Sequence, residues 1–404
     1  VSGGDHDNCV SAIRRALASG AAENADLDAL ARALEPRPLA WLVALDRYAY
    51  EQVRARALRE WKLTPQLRFS EALPSESTSV IVRRRSWPLD ASIAHARQQG
   101  HLQHWLRHHW ISPEVVGGRR LRVCGLPQTL AHRGQMIAGT KSLRVAVASF
   151  DDGVELCWHN DGNARRAHDV SDVKLRRRAL RAALDHSRAE GAELLLAPEL
   201  TVTESLRHEF VDWLHEGSNG RLWLVVPGSF HEPRQRQGRA ATHHNTARLM
   251  DTDGRELTRH DKLVPYRWED RGSPATEAID AGSEVVLLET EVGHIAVAIC
   301  LDHCEEGAGM VSLWEWASPD LVLVPAMDGS PGLSAYDRAA ARLARASGCC
   351  SVVANQPPEP ALAEASPRAL LRAFDRPLTP VLRTNANGCD IAIYDVALGR
   401  SNPT

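Results

Sequence analysis

The feature that most constrains the fold of this 404-residue chain is a series of short, nearly continuous apolar runs that begins at Leu143. Each run has the length and composition of a strand that is buried on both faces. Several runs are separated by stretches in which apolar residues recur three and four apart, as in helices. Strands that alternate with helices in this way predict a layered α/β domain. The runs are Leu143–Phe150, Ala192–Leu200, Arg221–Phe230, His294–Cys300, Leu321–Met327 and Cys349–Gln356.

The part of the chain before these runs has a different character. Between Cys9 and Trp61 apolar residues recur at helical spacing, and basic residues outnumber acidic ones up to residue 142. Gly117–Gly139 reads as a connecting segment with one short strand. We therefore predict two domains, a mainly α-helical basic domain of unknown role at 1–142 and an α/β domain at 143–400. Within the second domain, the stretch that follows its first strand reads as an irregular loop.

The composition is that of an ordinary globular protein, with 44% hydrophobic and 25% charged residues. No apolar run is long enough to cross a membrane, and the first residues lack the charge and apolar core of a signal peptide. These features predict a cytoplasmic location and no membrane contact. The chain begins with Val rather than Met, so we expect it to be processed or part of something longer.

Cofactors and metals are not indicated by the sequence. The eight cysteines are scattered and form no CxxC pair, which argues against a disulfide framework or a zinc site. His104 and His108 are four residues apart on a helical pattern, but no neighbouring carboxylate or cysteine completes a set of ligands. We therefore predict neither a metal nor a cofactor.

The stretch Ile295–Glu306 joins an apolar run to Cys300 and then to a cluster of carboxylates. A side chain at the carboxyl end of a strand lies where open α/β sheets place their chemistry, so Cys300 is a candidate nucleophile. A free cysteine is also often just a small buried apolar residue. This stretch alone leaves both interpretations open.

Two further reactive side chains also end a strand or a hairpin. One apolar run leads to Glu199, and a hairpin that turns at Asp253 and Gly254 leads to Lys262. The chain has only four lysines against 44 arginines, so a retained lysine suggests a need for a compact, titratable ammonium. A carboxylate can take the proton of a thiol, and an ammonium can stabilise charge that develops on a carbonyl oxygen. Together with Cys300, these residue types suit acyl transfer.

The three motifs resemble those of the carbon-nitrogen hydrolase, or nitrilase, family. APELT is similar to its glutamate motif, HDKLVPY to its lysine motif and AICLDHCEE to its cysteine motif. The resemblance covers 143–356 and extends weakly to residue 396. It implies a four-layer αββα sandwich fold, and members of the family commonly form dimers through their inner elements. It also implies Cys300 as the nucleophile, Glu199 as the general base and Lys262 as the group that stabilises the tetrahedral intermediate.

The resemblance also implies a second glutamate after the lysine. Glu269 is the best match, and Asp270 is the alternative because the spacing is ambiguous by one residue; a structural role for Glu269 fits nearly as well as a catalytic one. The chain departs from the family at Val264, where a histidine is frequent, and at His303–Glu305, where Arg-Phe-Pro is usual. These departures reshape the pocket, so no particular substrate is implied.

Residues implied to line the substrate site follow from the same motifs. The backbone N–H of Leu301, directly after the nucleophile, would bind the oxyanion, while the two residues after the LVLVPA run would either touch substrate or form an ordinary turn. The predicted substrate-site residues are Leu301, Tyr266, Met327 and Asp328.

Two kinds of function fit the sequence. The first is a hydrolase that cleaves a non-peptide carbon-nitrogen bond in a small amide, nitrile or carbamoyl compound through a cysteine thioester. The alternative is a regulatory or binding module whose nitrilase-like domain senses a metabolite or mediates assembly. In that case the basic N-terminal part, with its Arg83–Arg85 run, would contact a partner such as nucleic acid, within a larger defence-type protein. The expected partners are a small-molecule substrate and further copies of the chain.

Overall fold

The structure is a computed structural model, and it describes only part of the chain. The helical pattern predicted between Cys9 and Trp61 lies outside the described residues. In the part that is described, no helix is long and apolar enough to cross a membrane. The described residues are 79–83, 109–113, 115–140, 142–150, 155–216, 220–235, 241–268, 274–307, 309–330, 333–358, 368–373 and 376–397.

The chain divides into two compact units. The first unit comprises 1–84 and 89–113, and its described residues form one antiparallel pair of strands, β1 (Ser79–Arg83) and β2 (His109–Pro113). The second unit comprises 85–88 and 114–404.

The second unit is built from short strands and a smaller number of helices. Its strands are β3 (Val115–Val116), β4 (Arg119–Gly125), β5 (Ser142–Phe150), β6 (Leu156–Asp161), β7 (Ala164–Val170), β8 (Leu194–Leu196), β9 (Leu224–Val226), β10 (Ser229–Arg234), β11 (Thr242–Asp251), β12 (Glu256–Asp261), β13 (Arg267–Trp268), β14 (Ala275–Glu277), β15 (Glu284–Thr290), β16 (Gly293–Val297), β17 (Leu321–Ala326), β18 (Cys350–Asn355), β19 (Ala369–Ala373), β20 (Arg376–Pro377), β21 (Leu382–Ala386) and β22 (Cys389–Ala397). Its helices are α1 (Gln128–Thr140), α2 (Val173–Ala189), α3 (Glu204–His215), α4 (Leu301–Cys304), α5 (Met310–Ala317) and α6 (Ser334–Ser347).

Two eight-stranded sheets form the centre of this unit. The first has the order β10-β11-β9-β8-β5-β22-β21, with β12 paired to β11, and the second has the order β20-β19-β18-β17-β16-β15-β4-β3. Each sheet is mixed but contains a parallel set, β5-β8-β9 in the first and β16-β17-β18 in the second. Parallel strands place their carboxyl ends at one edge of the sheet, where side chains from neighbouring strands can meet.

Strand β5 shows how the layers are arranged. Val145 and Val147 belong to the core that the first sheet shares with the second, whereas Ala146 and Ala148 belong to the core beneath α2 and α3. Helices α4, α5 and α6 pack together beside the second sheet, and Trp314 is fully buried there. Each fully buried valine or leucine contributes about 1.5–3 kcal/mol relative to an exposed one. The α/β class predicted from the sequence is confirmed.

The unit includes residues that precede the domain boundary predicted at residue 143. Strand β4 runs parallel to β15, with Leu121 opposite Val285, and α1 buries Ile137 in the same core. Gly117–Gly139, predicted as a connecting segment, is therefore strand and helix of this fold. The helix is hard to recognise because it contains glycines, which are poor helix formers. A Cβ atom at Gly134 would lie 3.1 Å from the Trp223 ring and 3.2 Å from Glu291 Cβ, so a larger residue there would require a neighbouring side chain to shift.

A smaller four-stranded sheet, in the order β13-β14-β7-β6, lies outside the two large sheets. Its hairpin, β6 and β7, occupies the stretch that the sequence predicted to be an irregular loop. The pattern is obscured because the hairpin carries many polar residues and because a bulge between Cys157 and Trp158 interrupts the alternation. Its buried residues Ala167 and Val170 pack against Phe230.

Candidate active site

Cys300 lies on a sharp turn between a strand and a helix. Beyond the end of β16, the Cys300 N–H donates to the carbonyl oxygen of Pro325 at 2.9 Å, and α4 begins at the next residue. The backbone of Cys300 has φ 51° and ψ −111°. A residue other than glycine in such a conformation costs about 1–3 kcal/mol and persists only where the surrounding structure holds it. The turn therefore fixes the thiol at the end of the second sheet.

Asp302 is the residue that holds this turn. Its carboxylate is fully buried and accepts hydrogen bonds from the backbone N–H groups of Leu263 and Val264 at 2.9 Å each. It also accepts from the N–H of Ile299 at 3.3 Å and lies 2.8 Å from His260 Nε2. Because the first two donors belong to the loop after β12, the carboxylate joins the lysine loop to the nucleophile turn.

Glu199 follows β8 and reaches the end of the second sheet. Its N–H is 3.4 Å from the carbonyl oxygen of Ala326, and its Oε2 accepts from the N–H of Met327 at 3.1 Å. The next residue, Leu200, has φ 54°, so the chain turns sharply there. The exposed fraction is 2% for Glu199 and 3% for Cys300, so both residues are largely shielded from bulk water.

Lys262 pairs with two carboxylates at once. Its Nζ lies 2.8 Å from Glu199 Oε1 and 2.8 Å from Glu277 Oε2, and all three side chains are buried. Burial disfavours the charged ammonium, but the two carboxylates outweigh this effect and raise the pKa of Lys262 well above its ordinary value. The lysine therefore remains a cation at neutral pH.

Two further side chains hold the carboxylates in place. The Asn245 amide donates to Glu199 Oε1 at 2.9 Å and to Glu277 Oε1 at 3.1 Å. His231 Nδ1 accepts from the N–H of Ala167 at 2.9 Å, so the other ring nitrogen carries the proton and donates to Glu277 Oε1 at 2.8 Å. These contacts link the small sheet to the first large sheet.

The two carboxylates respond differently to the same surroundings. Burial and the charge of Glu277 outweigh the Lys262 ammonium and raise the pKa of Glu199. Burial would also raise the pKa of Glu277, but Lys262 and His231 lower it below the ordinary value. Two acids whose environments separate their pKa values can take separate roles. Glu277 stays ionised, whereas Glu199 is the acid that can accept a proton.

Cys300 is a thiol in the resting site. Burial and the charge of Glu199 raise the pKa of Cys300 well above that of a free cysteine. Its Sγ lies 3.1 Å from the hydroxyl oxygen of Tyr336, and the Glu199 carboxylate lines the same cavity. The sulfur therefore needs a base before it can attack, and the base is adjacent.

A cavity of 490 Å³ opens onto these groups. One wall is aromatic, because Trp268 packs edge-on against Trp158 at 5.4 Å and against Tyr266 at 5.0 Å between ring centroids. Cys300, Glu199 and Lys262 line the cavity, as does Glu277. The four residues predicted to line the substrate site also lie on its wall: Leu301, Tyr266, Met327 and Asp328.

The backbone and carboxylate groups on this wall have defined orientations. Leu301 is the first residue of α4, so its N–H has no acceptor within the helix and can donate to an oxyanion. The Asp328 carboxylate accepts from the N–H of Ser330 at 2.9 Å and from its hydroxyl at 2.5 Å. Among the described residues, no three histidine, cysteine or acidic side chains come together in a way that could hold a metal ion.

The structure differs from the sequence reasoning mainly in the second acid. Glu269 and Asp270 lie outside the described residues, so that assignment stays a prediction. In the structure the second carboxylate on Lys262 belongs to Glu277, on β14. The sequence offers little signal for Glu277, because its strand is only three residues long. Other site residues that the sequence reasoning missed are His231, Asn245, Asp302 and Tyr336.

Comparison with known proteins gives matches among solved structures. No family model matches the chain, and no curated protein matches it. An amidase from Nesterenkonia sp. AN1, which belongs to the nitrilase superfamily and carries the acetamide moiety of fluoroacetamide on its active-site cysteine, is 18% identical. That match covers 63% of this chain and 90% of the amidase, with a TM-score of 0.45.

Two matches are to longer proteins. The glutamine-dependent NAD+ synthetase from Acinetobacter baumannii is 14% identical over 63% of this chain and 45% of that chain, with a TM-score of 0.44. The C. elegans NitFhit protein is 15% identical over 64% of this chain and 61% of that chain, with a TM-score of 0.44.

Proposed function

We propose that this chain is a carbon-nitrogen hydrolase of the nitrilase family, which cleaves a small amide, nitrile or carbamoyl compound through a thioester on Cys300. The observation that carries the proposal is the meeting of a thiol, a carboxylate with a raised pKa and a doubly paired ammonium in one buried cavity. Glu199, Lys262 and Cys300 come from separate parts of the chain, and ordinary packing does not require their convergence.

For an amide substrate, acylation begins with the Cys300 proton. Glu199 takes this proton while the sulfur attacks the carbonyl carbon, and the carbonyl π electrons move onto oxygen. The Lys262 ammonium and the Leu301 N–H stabilise the resulting oxyanion. Glu199 then returns the proton to the departing nitrogen as the carbon-nitrogen bond breaks. Ammonia or an amine leaves, and the acyl group remains on sulfur.

Deacylation uses the same groups with water as the nucleophile. Glu199, again ionised, takes a proton from water, whose oxygen attacks the thioester carbon. The carbon-sulfur bond breaks, the carboxylic acid is released, and the proton held by Glu199 returns to the sulfur. Glu277 remains ionised throughout and keeps the lysine charged and in place, since both acids contact the same Nζ.

The cavity supports a small-molecule substrate. Its volume of 490 Å³ lies in the range of small-ligand pockets, and such pockets are mostly apolar with a few fixed polar groups. Here the aromatic wall of Trp158, Tyr266 and Trp268 faces the same space as the reactive residues. We propose that this wall contacts the acyl part of the substrate.

The proposal can be tested by trapping the acyl-enzyme. The Glu199→Gln variant is incubated with a panel of amides, nitriles and carbamoyl compounds, and its intact mass is measured. Glu199 is the base in both steps, so the variant should acylate slowly. A thioester that does form should persist, because no base activates water, and we expect an acyl adduct that maps to Cys300 after long incubation. Glu193→Gln is the matched control, since Glu193 is also buried but accepts from the backbone N–H of Arg144 and pairs with the Arg221 side chain, and it does not line the cavity.

The second variant in this test is Cys300→Ala. We expect it to form no adduct and to hydrolyse none of the compounds that the unmodified protein turns over. Turnover by Cys300→Ala at a rate close to that of the unmodified protein would refute the thioester mechanism.

A further inference from the structure

One polar group beside the nucleophile has no part in the reaction described so far. The Tyr336 hydroxyl, on the first turn of α6, lies 3.1 Å from Cys300 Sγ. Tyr336 is 2% exposed, and it lines the cavity together with the nucleophile. A buried hydroxyl in contact with the reacting atom is positioned to affect every step in which the charge on that atom changes.

We infer that Tyr336 is a catalytic residue whose hydroxyl donates a hydrogen bond to the Cys300 sulfur and stabilises the thiolate, both when it attacks and when it leaves. The reaction that it serves is the one proposed above, so the inference rests on that function. The contact itself is a property of the resting site and can be tested without a substrate.

The direction of this hydrogen bond follows from the protonation of the two partners. Burial, followed by the proximity of Cys300, raises the pKa of Tyr336 well above its usual value, so the phenol keeps its proton. In the resting site either the phenol or the thiol can be the donor of this contact. Once Glu199 has taken the thiol proton, the sulfur is a thiolate that can only accept, so Tyr336 is then the donor.

The tyrosine ring is held so that the hydroxyl meets the sulfur. His303, on α4, stacks on the Tyr336 ring with 6.2 Å between the centroids and 11° between the planes. Burial lowers the pKa of His303 to about 4, so this neighbour is neutral at neutral pH. His303 Nε2 lies 3.1 Å from the Ser351 hydroxyl on β18, which fixes the imidazole in turn. A donor that is already in place needs no reorganisation when charge develops on sulfur.

Other groups that face the sulfur come from different elements. Glu199 follows β8, Lys262 follows β12, and Cys304 lies on α4. Glu199 becomes neutral when it takes the thiol proton, and Lys262 is held by its two carboxylates. Tyr336 differs from these three groups, because it is a neutral donor whose hydroxyl contacts the sulfur directly.

The chemical step keeps the tyrosine proton on its own oxygen. In acylation the S–H bond breaks towards Glu199, the carbon-sulfur bond forms, and the carbonyl π electrons move onto oxygen. As the sulfur loses its charge in the thioester, the hydrogen bond from Tyr336 weakens. In deacylation the carbon-sulfur bond breaks, the electron pair returns to sulfur, and Tyr336 again meets a thiolate.

The expected size of the effect comes from two opposing trends. A hydrogen bond to a charged group lowers a thiol pKa by about one to two units. A thiolate with a lower pKa is also a weaker nucleophile, with a Brønsted coefficient of about 0.4–0.5. Below the thiol pKa, the hydroxyl should therefore accelerate reaction of Cys300 by about threefold to tenfold.

The test is the rate at which iodoacetamide alkylates Cys300, measured by peptide mass at a series of pH values. In Tyr336→Phe, which keeps the ring and its stack on His303, we expect the rate to fall by about threefold to tenfold. The control is Tyr394→Phe, because Tyr394 is a buried tyrosine on β22 whose pKa is raised to about 12 by burial and which is not part of the cavity wall. That variant should react as the unmodified protein does.

The alkylation rate of Cys304 distinguishes the loss of the Tyr336 hydrogen bond from a change in the shape of the cavity. Cys304 lines the same cavity, so a collapsed or opened cavity would change the rates of both cysteines. We expect only the Cys300 rate to change. Equal rates in Tyr336→Phe and the unmodified protein, or parallel changes at both cysteines, would overturn the inference. Because no substrate is needed, this result is independent of whether amides are hydrolysed.

Discussion

The substitution Asp302→Asn tests how the nucleophile turn is held in place. In the structure one carboxylate oxygen accepts from the N–H groups of Leu263 and Val264. The other faces the N–H of Ile299 and His260 Nε2 and lies 3.1 Å from the Leu263 nitrogen. An amide can keep only one of these oxygens. The better arrangement leaves the oxygen on Leu263 and Val264 and turns the NH₂ group towards Ile299 and His260.

The expected loss of stability can be worked from these contacts. The two bonds that are kept change from charge-assisted to neutral, at about 1 kcal/mol each. The imidazole of His260 can change tautomer and accept from the NH₂ group, but the Ile299 N–H is left without an acceptor, at about 1–3 kcal/mol. The sum is a loss of about 3–5 kcal/mol in the free energy of unfolding.

Urea unfolding monitored by tryptophan fluorescence measures this loss as a shift of the midpoint at constant slope. The control is Asp320→Asn, because Asp320 is partly exposed and an amide there can keep its oxygen on the His294 N–H, a bond of 2.7 Å. We expect the control to lose about 1 kcal/mol or less. If Asp302→Asn lost no more than this control, the account of Asp302 as the anchor of the turn would be wrong.

Three further variants probe the charges and the wall of the site. Lys262→Met should abolish turnover and destabilise the protein by about 3–5 kcal/mol, because it leaves two buried carboxylates without their cation. Urea unfolding measures this loss, and adding Glu277→Gln to the variant should restore part of the lost stability. Glu277→Gln alone removes a charge that raises the pKa of Glu199, so the acid limb of kcat/KM against pH should move to lower pH. If the acid limb did not move, the charge of Glu277 would not be what raises the pKa of Glu199. Trp268→Ala should raise KM more than it lowers kcat in steady-state assays, since the ring borders the cavity and does not touch the sulfur; an equal loss in kcat would contradict this role.

The sequence predicts the parts of the site that lie at the ends of strands. Glu199 and Cys300 follow buried apolar runs, and Lys262 follows a hairpin with a clear turn signal, so their positions can be inferred from periodicity. Their approach to one another cannot be inferred in this way, because it depends on how two sheets pack. The motif resemblance supplied that information.

The parts that the sequence did not predict come from elements whose patterns are weak. Glu277 lies on a three-residue strand, and the hairpin beside it is polar and bulged, so neither stands out from a loop. Tyr336 lies within a helix, and helical periodicity does not distinguish a tyrosine that packs from one that meets a thiol. Asp302 was seen only as one acid of a cluster, since its partners come from β12 and the loop after it as well as from its own turn.

The sharing of Lys262 by two acids also has a consequence for the order of folding. Glu199 follows a strand of the first large sheet, Glu277 lies on the small sheet, and the nucleophile turn follows a strand of the second large sheet. A buried ammonium is stable only when its carboxylates are present, so the lysine cannot be desolvated until all three sheets have docked. Contacts between residues so far apart in the chain form slowly. After dilution from denaturant, secondary structure should therefore return before catalytic competence, and the regain of activity reports the last docking step.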